Sequence, residues 1–463
     1  MTELPSSLRG RVLVAGAGVS GRGCVAMLTR LGVDTTVADS NEDALEALAE
    51  DYGVATVSVD SAAQSEFDLV ITSPGWRPDS PLLVAFQNAG VEVIGDVELA
   101  YRLDRSGVFG APRTWLVVTG TNGKTTTTGM LAQIMQADAE RTGKRALAVG
   151  NIGVSLFDAL TATPRVDVLC AELSSFQLHW SSQLRPDVGV LLNLAEDHLD
   201  WHGSFDAYAQ AKAKVLDGQA AVVGKDDAAA VRYAENTANL YGFTAVEPAE
   251  GEVGVSAGRL LSRLTQERED LASAEGIEPA GLAGVLDAAA AASVARLAGA
   301  SPRSIAQGLA AYTVAGHRGA VIHEHSGISF IDNSKATYPH AADAALKWLN
   351  SVVWIAGGQL KGAEVDGLVA KHAAHIKAAV VLGADRQEIA QALAEHAPHA
   401  PVDVIESNDP AAAMNAAVDA ALQHAEAGDT VLLAPAAASL DMYTGMAQRG
   451  DFFAAAAREL TRD

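Results

Sequence analysis

Two cysteines, Cys24 and Cys170, are too few for a disulfide framework, and both sit in apolar stretches that predict buried thiols. Basic residues are scarce beside acidic ones: 33 Lys and Arg against 57 Asp and Glu leave a formal net charge of −24. That excludes the basic footprint of a nucleic-acid-binding face. Any anionic substrate must then be captured by local cations. Long unbroken apolar runs are missing too. The alanine-rich stretches are interrupted by Arg296, Asp419 and His424, so no transmembrane segment is expected. Met1 to Gly10 has no apolar core of a secretion signal. These absences together predict a soluble cytoplasmic protein. What is present is ample material for burial, 49% hydrophobic residues in 463. The length exceeds a single core and predicts about three domains.

The most informative stretch is Val117-Val118-Thr119-Gly120-Thr121-Asn122-Gly123-Lys124-Thr125-Thr126. Trp115 to Val118 reads as a strand and about 129–137 as a helix, so a tight glycine loop joins strand to helix. Backbone N–H groups of such a loop cradle phosphate oxygens, and the helix N-terminus adds its positive dipole end. Lys124 is placed to reach β- and γ-phosphates and Thr125 to hold Mg²⁺. The usual P-loop has a longer spacer; here only Thr121 and Asn122 separate Gly120 from Gly123-Lys124. A plain glycine-rich turn leaves the lysine and its following threonines unexplained, so ATP binding is the reading adopted.

Near the N-terminus, a strand from Arg11 to Ala15 leads into Gly16-Ala17-Gly18-Val19-Ser20-Gly21, a helical pattern to Leu31, and a strand from Asp34 to Val37. Asp39 follows the first glycine by roughly 20 residues, as in a dinucleotide fingerprint. Two readings stay open: an NAD enzyme, or a Rossmann-like domain using the same turn for another phosphate or pyrophosphate. The strand Leu69 to Thr72 and the turn Ser73-Pro74-Gly75 continue the α/β pattern.

Farther on, the strand Val166 to Ala171 ends in Glu172. A carboxylate there suits Mg²⁺, with a helix-start acid as the alternative. After the strand Val188 to Leu192 come Asn193, Glu196, Asp197, His198, Asp200 and His202. A zinc hydrolase is one reading of that density, but no further His or Cys at zinc spacing lies near. Ser204 opens a helix carrying Lys212 and Lys214, which ordinary expectation puts in solvent. From 245 to about 268 only short strands are expected, then an alanine-rich helix over 277–300 containing Asp287, and a helix opened by Ser301 and Pro302 as N-cap and N1. Strands at Ile328 to Asp332, Val352 to Ile355, Val380 to Leu382 and Thr430 to Leu433 alternate with helices and predict another parallel sheet. Ser334, Lys335 and Thr337 offer a cation and two hydroxyls at a strand end, where α/β sheets bind ligands. Ser439 adds a hydroxyl after another strand of that sheet.

The nucleotide loop resembles that of the Mur ligases and folylpolyglutamate synthetases, which are ATP-dependent amide-forming ligases. Asn193 to His202 resembles the Mur ligase motif Asn-x-x-x-Asp-His-x-Asp-x-His. His317-Arg318, Asn333-Ser334-Lys335-Ala336-Thr337, Gly357 to Gly362, Pro435 to Tyr443 and Arg449 to Phe452 match the family in order. The resemblance therefore covers the whole chain. It implies an α/β protein of three domains: a Rossmann-like UDP-binding domain over 1–97, a central P-loop ATPase-type domain with a mostly parallel sheet over 98–314, and a C-terminal Rossmann-like amino-acid-binding domain over 315–463.

It is strongest to the D-glutamate-adding members, and it implies ATP, UDP-N-acetylmuramoyl-L-alanine and D-glutamate as substrates, with an acyl phosphate between them. On that basis Gly120, Thr121, Asn122, Gly123, Lys124, Thr125, Thr126, Asp287 and Arg318 serve ATP, with Arg318 reaching the γ-phosphate. Gly18, Val19, Ser20, Gly21, Asp39, Ser73, Gly75, Asn151 and His198 serve the UDP-sugar. Ser334, Lys335, Thr337, Ser439 and Met446 serve D-glutamate. Thr125, Glu172, His198 and a carbamylated Lys212 hold two Mg²⁺ ions. Lys124, Glu172, His198, Lys212 and Lys335 form the catalytic set, and Lys214 stands as an ordinary surface lysine. A monomer is expected. The chain departs from the family at Asp287, Asn333, Tyr338 and Gln359, where asparagine, aspartate, asparagine and aspartate are common. Other readings are a Mur-type ligase of different amino-acid specificity, an NAD-dependent oxidoreductase, or a nucleotide-binding partner without enzymatic activity.

Overall fold

The computed structural model describes residues 4–314, 316–347 and 349–461. Met1, where the signal-free N-terminus was expected to begin, lies outside them, as does residue 315, the expected first residue of the third domain. The strands form three sheets. The first holds β1 (Val12–Ala15), β2 (Thr35–Ala38), β3 (Ala55–Val57), β4 (Leu69–Thr72) and β5 (Glu92–Gly95) in the order β3-β2-β1-β4-β5, all parallel.

The second sheet is built from β6 (Thr114–Thr119), β7 (Ala146–Gly150), β8 (Val168–Glu172), β9 (Val188–Leu191), β10 (Ala220–Gly224), β11 (Leu240–Phe243), β12 (Glu252–Ser256), β13 (Arg259–Ser262) and β14 (Glu269–Ser273). Its order is β14-β13-β12-β11-β10-β9-β6-β8-β7. Only β12, β13 and β14 pair antiparallel, as a meander. The third sheet, of β15 (Ala320–His325), β16 (Ile328–Asp332), β17 (Val352–Gly357), β18 (Ile376–Leu382), β19 (Val402–Val404) and β20 (Thr430–Leu433), runs β15-β16-β20-β17-β18-β19. It is parallel except for the β15–β16 pair.

The expected strands are therefore present, with ends moved by a few residues. Parallel strands buried on both faces read as unbroken apolar runs, and Val12–Ala15, Leu69–Thr72 and Val168–Glu172 are buried throughout. Cys24 and Cys170 are buried free thiols. Among the described residues no helix is long and apolar enough to cross a membrane.

The chain gathers into two compact units. One holds the first two sheets through Ser273, together with Asp287–Ala311; the other holds Ala274–Leu286 and everything from Tyr312 on. The expected division at 97/98 falls inside the helix Asp96–Arg105. That helix joins the first two sheets by buried charge. Glu98 accepts from the backbone N–H groups of Ser182 and Gln183 and pairs with Arg102 at 2.9 Å. Asp104 pairs with Arg113 at 2.7 Å and accepts from the Trp115 indole N–H.

The helix after the nucleotide loop begins at Lys124, not near residue 129. Four successive threonines are poor helix formers, which delays the helix in a pattern reading. Here Thr126, Thr127 and Thr128 are buried, and packing overrides propensity.

Candidate functional site

In the second sheet β6 lies between β9 and β8, so their C-terminal ends are neighbours. The order reverses across β6, which makes a crevice where such sheets bind ligands. The loop after β6, Glu172 at the end of β8, and Asn193 just past β9 meet there. Gly123 is the N-cap of Lys124–Ala137 at φ +82° and carries no side-chain cap. That left-handed conformation suits glycine, and it leaves the first helical N–H groups for an anion.

Asn193 staples the loop: its Oδ1 accepts the Asn122 N–H at 2.8 Å, its Nδ2 donates to the Asn122 carbonyl at 3.2 Å, and its own carbonyl accepts the Thr121 N–H at 3.0 Å. The Thr121 hydroxyl lies 2.8 Å from the Tyr208 hydroxyl and accepts the Ala195 N–H at 2.9 Å. The motif's asparagine thus sets the shape of the short loop. Tyr208 was not among the expected site residues; its only sequence signal was its place one helical turn before Lys212.

Lys124 donates to the carbonyls of Gly120 and Thr121 at 2.9 and 2.8 Å. Lys212 is buried and donates to the Gly120 carbonyl at 2.7 Å. Burial, followed by the nearby Lys124 charge, holds its amine well below the ordinary lysine range. Glu172 is buried, with Oε1 accepting from Asn151 Nδ2 at 2.9 Å. Its Oε2 is buried with no hydrogen-bond partner, an orphaned carboxylate oxygen of the kind that suits a hard cation. Asn151, expected at the sugar nucleotide, uses one Nδ2 hydrogen on Glu172.

His198 is half-exposed with φ +52°, and lies 3.4 Å from Asp197. Burial lowers its imidazole below the ordinary range. His202 is within hydrogen-bonding distance of the Ser175 hydroxyl, 3.0 Å, and burial pushes it down to about 4. Phe176 lies against His198, Trp201 and His202.

Lys214 corrects an expectation. It is not a surface charge: its ammonium donates to the carbonyls of Leu178, His179 and Ser181 at 2.8–2.9 Å, ending the helix Ser175–His179. Burial lowers its pKa. The helix C-terminus attracts a cation, which the sequence gives no way to assign to this lysine. Asp287 also sits at the nucleotide loop. It accepts from the Thr127 hydroxyl at 3.1 Å and packs against Gly123.

In the first sheet β1 lies between β2 and β4, which brings together the Gly16–Gly21 loop, Asp39 and Ser73. A Cβ at Gly21 would strike the Gly16 carbonyl, so the turn demands glycine there. Gly18 is the uncapped N-cap of Val19–Arg30, and Val19 is 94% exposed. Those helix N–H groups form a second anion cradle. Both Asp39 oxygens are taken, one by the Ala17 N–H at 2.6 Å and one by the Asn41 N–H at 2.9 Å. Each oxygen keeps a second lone pair, so these two bonds fix the direction of the carboxylate and leave it able to accept from a ligand. Ser20 donates to Asp96 at 2.5 Å, and the Ser73 hydroxyl is buried with no partner.

In the other unit the ends of β16, β20 and β17 are adjacent. Arg449, 1% exposed, ties them: it donates to the Ser334 hydroxyl and carbonyl and to the carbonyls of Gly357 and Ala437, at 2.9–3.1 Å. Burial pulls its guanidinium down to about 10. Ser334 is fully buried and donates its hydroxyl to the Met446 carbonyl at 2.8 Å. Both of its hydroxyl roles are therefore internal, and it acts as a pin under the strand-end loops. Lys335 and Thr337 are half-buried beside it, and Ser439 is buried on the loop after β20, which pairs with the β17 loop through Gln359 and Ala438. His317 bonds Asp332 at 2.7 Å, and Asp332 also accepts the Ser334 N–H. Arg449 was missed as a site residue; its only signal was the terminal Arg-Gly match.

A strand, an uncapped glycine loop with a lysine, and neighbouring strand ends bearing a carboxylate and a histidine define a nucleotide-using α/β enzyme of the P-loop kind. Three family models match in order: the Mur ligase MurD-like N-terminal domain over residues 10–95, the Mur ligase middle domain over 118–257, and the Mur ligase glutamate ligase domain over 317–437. The chain belongs to the Mur ligase family.

It is 57% identical to the UDP-N-acetylmuramoylalanine--D-glutamate ligase of Corynebacterium diphtheriae, over 98% of this chain and 97% of that one. It is 47% identical to the protein of that name from Mycobacterium avium, over 99% and 98%. Among solved structures, the UDP-N-acetylmuramate-alanine ligase MurC of Thermotoga maritima matches with a TM-score of 0.54 at 17% identity, over 97% of this chain and all of that one. E. coli FolC in complex with DHPP and ADP gives 0.51 at 19% identity, over 75% and 89%. These last two bear on the fold alone.

Proposed function

We propose that this enzyme joins D-glutamate to UDP-N-acetylmuramoyl-L-alanine using ATP, releasing ADP and phosphate, in peptidoglycan precursor synthesis. The observation that carries the reading is the full-length identity of 57% to a D-glutamate ligase. A carboxylate is a poor acylating group. Phosphorylating the alanyl carboxylate gives an acyl phosphate with a good leaving group; the amine of D-glutamate attacks it, and the tetrahedral intermediate expels phosphate.

Within this reading the loop amides after Gly123 and the Lys124 ammonium bind the triphosphate and stabilise the charge that builds on the transferring phosphoryl group. The uncapped helix at Gly18 to Gly21, with the partnerless Ser73 hydroxyl, receives the diphosphate of the sugar nucleotide. Glu172, His198 and Thr125 are the groups that would hold Mg²⁺, and the orphaned Glu172 Oε2 supports that fit; bound there, the ion supplies charge neutralisation for phosphate.

Lys212 is buried, and burial favours its neutral amine, the form that adds to CO₂ with loss of a proton to give a carbamate. That carbamate is a carboxylate equivalent for a second ion. Lys335 and Thr337 receive the D-glutamate side-chain carboxylate, with Ser439 and the Met446 segment, while Ser334 holds the loop from beneath. In this reading the functional segments are 1–97, 98–314 and 315–463, and the protein is a soluble cytoplasmic monomer.

The test is phosphate release with ATP, UDP-N-acetylmuramoyl-L-alanine and a panel of amino acids. Release should require both the acceptor and D-glutamate, with L-glutamate poor. Preference for L-lysine or meso-diaminopimelate would assign a different family member, and reduction of nicotinamide would restore the oxidoreductase reading.

A further inference from the structure

Asp287 is an acid set directly against the turn of the nucleotide loop. Its carboxyl accepts the Thr127 hydroxyl at 3.1 Å and lies against Gly123, close enough that a Cβ there would collide with it. Gly123 is the N-cap whose following N–H groups are uncapped. An ionised carboxylate at that spot sets a negative charge beside the amides that receive phosphate. Among the described residues only the Thr127 hydroxyl offsets it. Leu192, past the end of β9, packs on the same glycine, and the following residues of its own helix, Ala288 to Ala292, are fully buried. From the loop and its helix the facing groups are Gly123 and Thr127; the nearest charged side chain in sequence, Lys124, directs its ammonium to the Gly120 and Thr121 carbonyls.

We propose that Asp287 is a positioning residue which braces the Gly123 turn as an uncharged carboxylic acid, so that the loop binds the nucleotide triphosphate only with this proton in place. This rests on the ATP reading above. Burial, partly offset by the Thr127 hydrogen bond, raises the Asp287 carboxyl to about 8, in keeping with the geometry. At higher pH the balance is carboxylate plus proton plus nucleotide giving the protonated, nucleotide-bound loop. One proton is taken up, onto a carboxyl oxygen, for each nucleotide bound. Where asparagine is common in the family, this chain thus carries an acid that imitates an amide below its pKa and repels phosphate above it.

The experiment is calorimetric titration of the full chain with Mg·ADP across about pH 7 to 9.5, in buffers of differing ionisation enthalpy. The dissociation constant should rise by up to about tenfold per pH unit above about pH 8, with uptake approaching one proton. Asp287→Asn should abolish both the slope and the uptake, whatever its absolute affinity. Thr127→Val removes the bond that favours the ionised form, so it should move the inflection to higher pH. A flat wild-type profile overturns the proposal, as does a slope that survives in Asp287→Asn or a Thr127→Val inflection that moves down. Absence of any nucleotide binding at neutral pH would instead overturn the ATP reading beneath it.

Discussion

The ammonium groups of Lys124 and Lys212 converge on one acceptor, the Gly120 carbonyl oxygen, at 2.9 and 2.7 Å. Two like charges on one oxygen in a buried site disfavour double ionisation. Lys212, the more buried, yields, and its amine is the group shifted well below its ordinary range.

Lys124→Ala should cut ATP-dependent phosphate release by about 100-fold or more, because it removes the charge that meets the transferring phosphoryl group. Circular dichroism should show the fold retained. Near-normal release would separate this loop from catalysis.

Lys212 and Lys214 should fail in different ways. Lys212→Ala should lose turnover and regain part of it with a small carboxylic acid that fills the vacated space. Lys214→Ala should keep turnover at low temperature but lose roughly 1–3 kcal/mol of stability, since three buried carbonyls lose a charged donor. Melting curves and phosphate release on both variants check this; chemical rescue of Lys214→Ala would contradict it.

Acid should destabilise the first unit through its histidines. His179 and His202 are each lowered by burial from 6.5 to about 4. A folded-state pKa below the unfolded value means that the stability they contribute is complete above about pH 6.5 and lost as pH falls through about 4. His202→Gln should flatten part of that loss, read as melting temperature against pH. An unchanged acid limb would show that other groups govern it.

Arg449→Lys should not rescue Arg449→Ala. The guanidinium reaches four oxygens from three strand-end loops, a spread that one ammonium cannot cover. Either change should lower stability by about 2–4 kcal/mol and raise the KM for D-glutamate more than that for ATP. Denaturant unfolding together with steady-state kinetics would test both halves.

Lys335→Ala should raise the KM for D-glutamate roughly 10- to 100-fold while changing that for ATP little, as loss of a charge-assisted contact of ~1.5–3 kcal/mol implies. Equal effects on both substrates would point to a general loss of loop structure.

The amino-acid sequence by itself determined the strands, the glycine turns and the family. These are local matters: an apolar run followed by Gly123-Lys124, or by Gly16 to Gly21, reads as a strand entering a tight glycine turn before a helix. The tertiary structure decided how each polar group is spent. Asp39 and Asn151 read as ligands, and the structure adds bonds that the sequence did not show, to the Ala17 and Asn41 amides and to Glu172. Ser334 reads as a hydroxyl at a strand end for D-glutamate and is fully buried under Arg449. Lys214 reads as solvated and caps a helix that precedes it by more than 30 residues. The expected division at 97/98 falls inside a helix, because Glu98 meets the Ser182 and Gln183 amides only after the two sheets pack. A hydrogen bond depends on where a donor and an acceptor come to rest, and side chains far apart in the chain are brought within 3 Å of each other by packing alone.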